Sequence, residues 1–266
     1  MKFTKFSKTH KVEEDLSLNL LGGKGYNLVK MCQQDMPVPP GFIIPTSYCM
    51  EYLSYCDSDK NHYMVHVMGE VMKHMEWIEE EFGYMPLVSV RSGARVSMPG
   101  MMDTILNVGL YFDTEKFWQD TIGRWAMLDS ERRLMQMLGT TALGIDPTKF
   151  ESILTAVKQE TYGLQYPPET DAEMSETHLE SVIVSFDCLI TKELGGYYNY
   201  NLKQQLRLSI ESVFKSWNNP RAIHYRNMHG YSHDWGTAVT IQAMVFGNMN
   251  DNSCSGVLFT RDPNTG

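Results

Sequence analysis

The chain has 266 residues, 42% of them hydrophobic, and a formal charge of −9, so it can bury a sizeable core and is not a largely disordered protein. The acidic balance excludes general affinity for nucleic acid or for an anionic membrane, because either needs a cationic surface. Cys32, Cys49, Cys56, Cys188 and Cys254 are odd in number and hold no Cys-x-x-Cys pair, which excludes a disulfide framework and a cysteine zinc site.

In chain order, the basic start from Met1 to Lys8 is not followed by the apolar segment of a signal peptide. Leu28, Met31 and Cys32 recur at helical spacing, which predicts a helix over 25–34 with Gly22-Gly23-Lys24-Gly25 at its mouth. The proline-rich run from Met36 to Pro45 ends that helix and leads into a short apolar strand, with Thr46-Ser47 read as the cap of the next helix. Residues 62–82 read as a helix whose Glu79, Glu80 and Glu81 form a solvated charged face. Leu87 to Val90 is a strand that delivers Arg91-Ser92-Gly93-Ala94-Arg95 at its end, and Ile105 to Leu110 is another after a turn-rich loop, Ser97 to Thr104.

From Glu115 to about Leu194 the pattern is helical, with breaks near Gly144 to Pro147 and Tyr166 to Pro168, and with 170–180 as its most acidic and loop-like part. A further helix over 202–217 stops at Asn218-Asn219-Pro220. Ala238 to Phe246 and Gly256 to Thr260 read as two strands of a hairpin joined by a polar loop. The 19 methionines are taken as adaptable core packing. No apolar run is long enough to span a bilayer, and a cytoplasmic location is expected.

Two loops carry the chemistry. A glycine-rich turn before a helix frees backbone amides for phosphate oxygens, and the helix end and the Lys24 ammonium add positive charge. The tetrapeptide lacks the Walker and dinucleotide-fold spacings, so alone it reads as an ordinary turn with a surface lysine rather than as a phosphate site. Arg91 and Arg95 at a strand end have the paired donors that suit phosphate, with a structural ion pair as the rival. Asp103 is expected to cap backbone amides in its turn rather than to hold Mg²⁺. The eight histidines are read as lacking a metal-binding pair, and no metal ligand is assigned. Ser92 and Ser97 have no recognisable triad partners.

Taken together, Leu21 to Leu28, Val88 to Arg95, Ser97 to Asn107 and Gly256 to Pro263 closely resemble, in order and spacing, the amino-terminal region of the pyruvate phosphate dikinase family. Phe214 to Ile223, Asp234 to Val239 and Gln242 to Gly247 also look like that family, whereas 140–200 shares only helical character. The resemblance implies an α+β, ATP-grasp-like amino-terminal lobe over 1–110 and 202–240, with a helical insertion over 111–201. It further implies a hinge and the first hairpin of an incomplete second lobe over 241–266. It assigns Lys24 and Arg91 to the nucleotide phosphates, with Gly22, Gly23, Gly25 and Arg95 beside them and Gly100, Met101, Met102, Asp103 and Thr104 in a loop over them. Gln242, Met244 and Val245 are assigned to adenine.

The cofactor so implied is ATP, with Mg²⁺ expected only together with second-lobe carboxylates that these residues do not include. The leading expectation is a nucleotide-binding portion of a dikinase that needs a complementing chain or missing domains, or that self-associates. The alternative is a non-catalytic binding or regulatory module that imitates the lobe and offers an unpaired hairpin edge to a partner. A small independent kinase drawing metal ligands from Asp103 and the acidic 169–180 segment is a third reading.

Overall fold

A computed structural model describes residues 2–10, 12, 17–162, 170–195, 201–249, 252–259 and 261–262. The described chain is α+β, and it is organised by one antiparallel sheet of five strands in the order β1 (Thr4–Phe6), β2 (Gly41–Ile44), β5 (Ala238–Ala243), β3 (Val88–Gly93) and β4 (Thr104–Val108). The helices are α1 (Leu18–Gln33), α2 (Thr46–Ser54), α3 (Asp57–Phe82), α4 (Phe112–Ile122), α5 (Arg124–Met137), α6 (Pro147–Tyr162), α7 (Glu176–Leu194), α8 (Leu202–Ser216) and α9 (Pro220–His229). No helix among the described residues is long and apolar enough to cross a membrane.

Strand alternation divides the core. Phe42, Ile44, Val88, Val90, Val239 and Ile241 join one large cluster with the buried stripes of α2, α3 and α8. Ile43 and Ala238 point the other way, into a smaller cluster with Leu21, Val29 and Cys32 of α1. Because successive side chains of a strand face opposite sides, the residues between the core valines of β3 are committed to the α1 side. Arg91 is paired with Thr104 on β4 and with Thr240 on β5, which in turn pairs with Ile43. Arg91 therefore faces the side that α1 occupies.

The helical stretch that follows β4 is not set apart from this core. Met127, Leu128, Leu134, Leu154, Leu179, Val182 and Phe186 are buried in the same large cluster as the sheet residues. A π-helical turn, Leu138–Ala142, ends α5, and Gly139 there lies where an added Cβ would meet the Phe150 ring at 2.3 Å.

Several local expectations change. α3 begins at Asp57 rather than at 62, and Gly83, in the left-handed conformation at φ 90°, closes it. Thr46 does not cap α2: the cap position is Pro45, and the Thr46 hydroxyl instead donates to the Asn19 carbonyl at 2.9 Å, tying α2 to α1. The acidic 170–180 stretch is not one loop. Ser175 accepts from the His178 amide to cap α7, which starts at Glu176. The break expected at Tyr166 to Pro168 lies outside the described residues.

The expected terminal hairpin is also corrected. β5 is flanked on both sides by β2 and β3, and residues 252–259 contain no strand. Val257 and Leu258 are 82% and 94% exposed, so their apolar, β-prone character finds no sheet to enter among the described residues. The sheet edges are β1 and β4, not a hairpin at 238–260. Thr260 and 263–266 lie outside the described residues.

Candidate functional site

The glycine turn is shaped by contact with the arginine strand. α1 is broken at Gly22, whose φ of 66° and ψ of 168° are not helical, so the regular helix runs on from Gly23. An added Cβ at Gly22 would sit 1.8 Å from the Gly93 carbonyl oxygen, so only glycine permits this approach. The next amide, Gly23 N–H, donates to the Ala94 carbonyl at 2.8 Å. Gly25 is pressed on Ile43, with its hypothetical Cβ 2.8 Å from Cδ1. The two basic loops, separated by some 70 residues of sequence, are thus one unit in space.

This unit holds three cations. The Lys24 pKa is lowered from the ordinary lysine value, first by partial burial and then by the Arg91 guanidinium nearby. Burial lowers Arg91 as well. Arg91 donates through Nη2 to Oε1 of Gln242, while its Nε is buried without a hydrogen-bond partner. Arg95 lays its guanidinium 5.2 Å from the centre of the Trp235 ring, and its Nε is likewise buried and unpartnered. Among the described residues none of Lys24, Arg91 and Arg95 forms an ion pair. The structural ion pair that rivalled phosphate contact at Arg91 is therefore not what the described residues provide.

The acidic segment behaves in the opposite way. Asp171 pairs with Lys158 at 2.6 Å and Arg132 at 3.2 Å, and Arg124 pairs with Glu176 and Glu180. Asp171, Glu176 and Glu180 are thus engaged in ion pairs with Lys158, Arg132 and Arg124. Among the described residues no group of three or more His, Cys, Asp or Glu is arranged to hold a metal ion.

Around the basic unit lie the other residues singled out by sequence. Thr104 is the β4 partner of Arg91, which brings the end of the Gly100 loop to the arginine. Gly100 turns the loop at φ 69° with open space around it, and Met101 and Met102 pack partly buried against the core. Asp103 does not cap its turn. Its half-buried carboxylate accepts from Ser212 Oγ of α8 at 3.1 Å, and burial raises its pKa despite that bond and the Arg221 charge.

The hinge residues differ among themselves. Gln242 is in the middle of the sheet, and its amide both accepts from Arg91 and donates to the Pro39 carbonyl at 3.1 Å. Met244 N–H donates to the Leu87 carbonyl at 2.8 Å, and its sulfur accepts from Asn107 N–H at 3.2 Å. Val245 is 69% exposed, with its backbone N–H and C=O unpaired among the described residues.

Sequence reasoning missed two features. Thr240, fully buried, stands beside Arg91 with an unpartnered hydroxyl, and only the strand register reveals it. His62 and His66 are four residues apart on α3, a spacing legible in the sequence, which corrects the expectation that no histidines are paired. They line a cavity of about 680 Å³ with Tyr48, Glu51, Tyr55 and Asp59. That cavity shares no lining residue with the basic unit.

Comparison with known proteins bears on this arrangement. Residues 59–266 match the family described as pyruvate phosphate dikinase, AMP/ATP-binding domain. The pyruvate, phosphate dikinase of Giardia intestinalis is 43% identical over 261 residues, 95% of this chain and 28% of that protein. The Clostridium symbiosum enzyme of the same name is 40% identical over 93% of this chain and 28% of its own length, and that of Rhizobium meliloti is 42% identical over 92% and 27%. The chain therefore spans little more than a quarter of these relatives. With most of its length matched and with the motif residues in one place, this chain belongs to the pyruvate phosphate dikinase AMP/ATP-binding family.

Proposed function

We propose that this chain supplies the phosphate-facing and adenine-facing half of an ATP site, as the amino-terminal part of a pyruvate phosphate dikinase. The observation that carries the reading is the placement of Lys24, Arg91 and Arg95 together without a carboxylate partner among the described residues, in a protein of net charge −9. Crowded cations raise each other's energy, and a polyphosphate relieves that while satisfying the buried Nε donors. The regular helix that starts at Gly23 adds the positive end of its dipole. Val245 offers its backbone N–H and C=O to the adenine edge, whereas the Gln242 amide holds Arg91 in place.

ATP fits these residues; Mg²⁺ does not. Asp103 is bonded to Ser212, and no group of three or more ligating side chains is arranged for a metal among the described residues, so the metal is to be held with carboxylates of the longer protein or of a complementing chain. In this proposal the lobe, 1–110 with 202–240, carries the phosphate contacts, 111–201 is its helical insertion, and 241–266 leads toward the opposing ATP-grasp lobe. Transfer of the phosphoryl group belongs to the assembled enzyme.

Titration calorimetry with ATP, with and without Mg²⁺, tests the binding. Lys24→Ala and Arg91→Ala are each expected to weaken it by about 1–3 kcal/mol, as for the loss of a charged hydrogen bond. Absence of saturable ATP binding, or equal affinity in the wild type and both variants, would refute it.

A further inference from the structure

The loop over 97–103 is fastened to the helices by Ser212 of α8 and by Asn219 and Tyr225 at α9. Asn219 Nδ2 donates to the Met101 carbonyl at 2.8 Å, while Oδ1 of the same amide accepts from Ala222 N–H at 2.7 Å and caps α9. Two residues along the loop, the Asp103 carboxylate accepts from Ser212 Oγ at 3.1 Å. Tyr225 Oη reaches the Ser97 carbonyl at 3.4 Å, and Met98 is buried beneath. Only the turn at Pro99 and Gly100 is exposed between these anchors.

We infer that Asn219 is a positioning residue for the nucleotide, latching the Gly100 loop onto α9 so that its backbone is ordered before the phosphates arrive. The inference rests on the ATP reading above. Thr104, one residue beyond the Asp103 anchor, is the strand partner of Arg91, so a shift of the loop is carried directly to the arginine's row of the sheet. A flexible glycine loop loses conformational entropy when it closes on a ligand. A loop already held at Met101 and Asp103 loses less, and the ligand is bound correspondingly more tightly.

The amide of Asn219 divides the two duties by atom, which allows them to be separated. Asn219→Asp keeps an oxygen for the Ala222 amide, and aspartate is as good a cap as asparagine. It cannot donate to Met101, and its charge repels that carbonyl. Asn219→Ala removes both functions. Ser212→Ala releases the second anchor without touching α9.

Hydrogen exchange at the amides of residues 100–102 without nucleotide tests the latch by itself, and ATP titration tests its consequence. In Asn219→Asp, exchange there is expected to quicken about tenfold and ATP affinity to fall about five- to tenfold, the effect of one net hydrogen bond. Exchange within α9 is expected to stay at the wild-type rate, while Asn219→Ala speeds both segments. Unchanged loop exchange in Asn219→Asp overturns the latch. Faster loop exchange with unaltered ATP affinity overturns the positioning role. If wild-type protein binds no ATP, the ATP reading fails and the positioning role with it, whereas the exchange result still decides whether the latch exists.

Discussion

Replacing Gly22 by alanine separates the cost of backbone conformation from the cost of forcing the two basic loops apart. At φ 66° and ψ 168° an L-residue is disfavoured by about 1–3 kcal/mol. Gly230 shares that φ, 68°, but lies at ψ 27° in the left-handed helical region, with nothing within 4 Å of its hypothetical Cβ, so Gly230→Ala measures a positive φ without a clash. At Gly22 the added carbon would lie 1.8 Å from the Gly93 oxygen. The two backbones must then part by about 1.6 Å to regain ordinary contact, which sacrifices the Gly23–Ala94 hydrogen bond, worth about 1 kcal/mol, and some packing around it. Gly22→Ala is thus expected to cost about 2–4 kcal/mol in urea unfolding, against about 1–2 kcal/mol for Gly230→Ala. In the folded fraction it should also weaken ATP binding at least tenfold, because Lys24 follows the displaced turn. Equal destabilisation by the two substitutions, or undiminished ATP affinity in folded Gly22→Ala, would show that the loops are not locked together as described.

Other consequences concern protonation and the support of Arg91. Lys24 has a lowered pKa, so ATP binding should draw a proton onto it on the alkaline side, and affinity should begin to fall below the ordinary lysine range; calorimetry in buffers of different ionisation enthalpy detects the proton uptake, which Lys24→Ala should abolish. Burial, with Glu115 and Asp187 adding repulsion, pushes the Glu131 carboxyl up to about 7. A carboxyl raised on folding contributes stability below its unfolded value that is lost as pH rises through the folded one. Glu131→Gln is therefore expected to be more stable than wild type by on the order of 3 kcal/mol at pH 8 and to lose that advantage at pH 4, as read by thermal melts. Gln242→Leu leaves Arg91 Nη2 and the Pro39 carbonyl without their partner, so a loss of about 1–3 kcal/mol in stability together with weaker ATP binding is expected; unchanged values for both would argue that the Gln242 amide does not set the arginine.

What could be read from sequence was what local chemistry decides. Gly22-Gly23-Lys24-Gly25 announced a turn before a helix because glycine and helical periodicity act within a few residues. The valines before Arg91 announced a strand, but β3 runs on through Arg91 to Gly93, so the arginine lies within the strand rather than at its end. The join between these loops was not legible, because it depends on the register that sets Arg91 against Thr240 and Thr104. Thr46 has a capping side chain, yet the approach of α1 offered the Asn19 carbonyl instead. Asp103 similarly turned from its own loop to Ser212, a residue 109 positions away. Gly256 to Phe259 has the composition of a strand, but a strand exists only where another edge meets it, and composition carries no information about that edge.

On the reading proposed above, binding rather than chemistry is the property that these residues support. Arg91 is held by β3, whose neighbouring valines are buried on the opposite face, so its position is set by the core and not by any ligand. Lys24 is brought up to it by a glycine contact that belongs to the backbone. The mutual repulsion of the two cations is a standing cost that the packed sheet supports, and an arriving polyphosphate turns it into attraction without rearranging either element. Phosphoryl transfer asks for more: metal ions bridging the phosphates and an acceptor held in line. Asp103, the carboxylate nearest to meeting that need, is half-buried and engaged with α8, so it serves the shape of the loop. If this division is right, adding the carboxylate-bearing remainder of a dikinase should restore Mg²⁺ dependence to ATP binding while leaving the effects of Lys24→Ala and Arg91→Ala in place. An affinity that becomes insensitive to either substitution once the remainder is present would mean that the phosphates lie elsewhere.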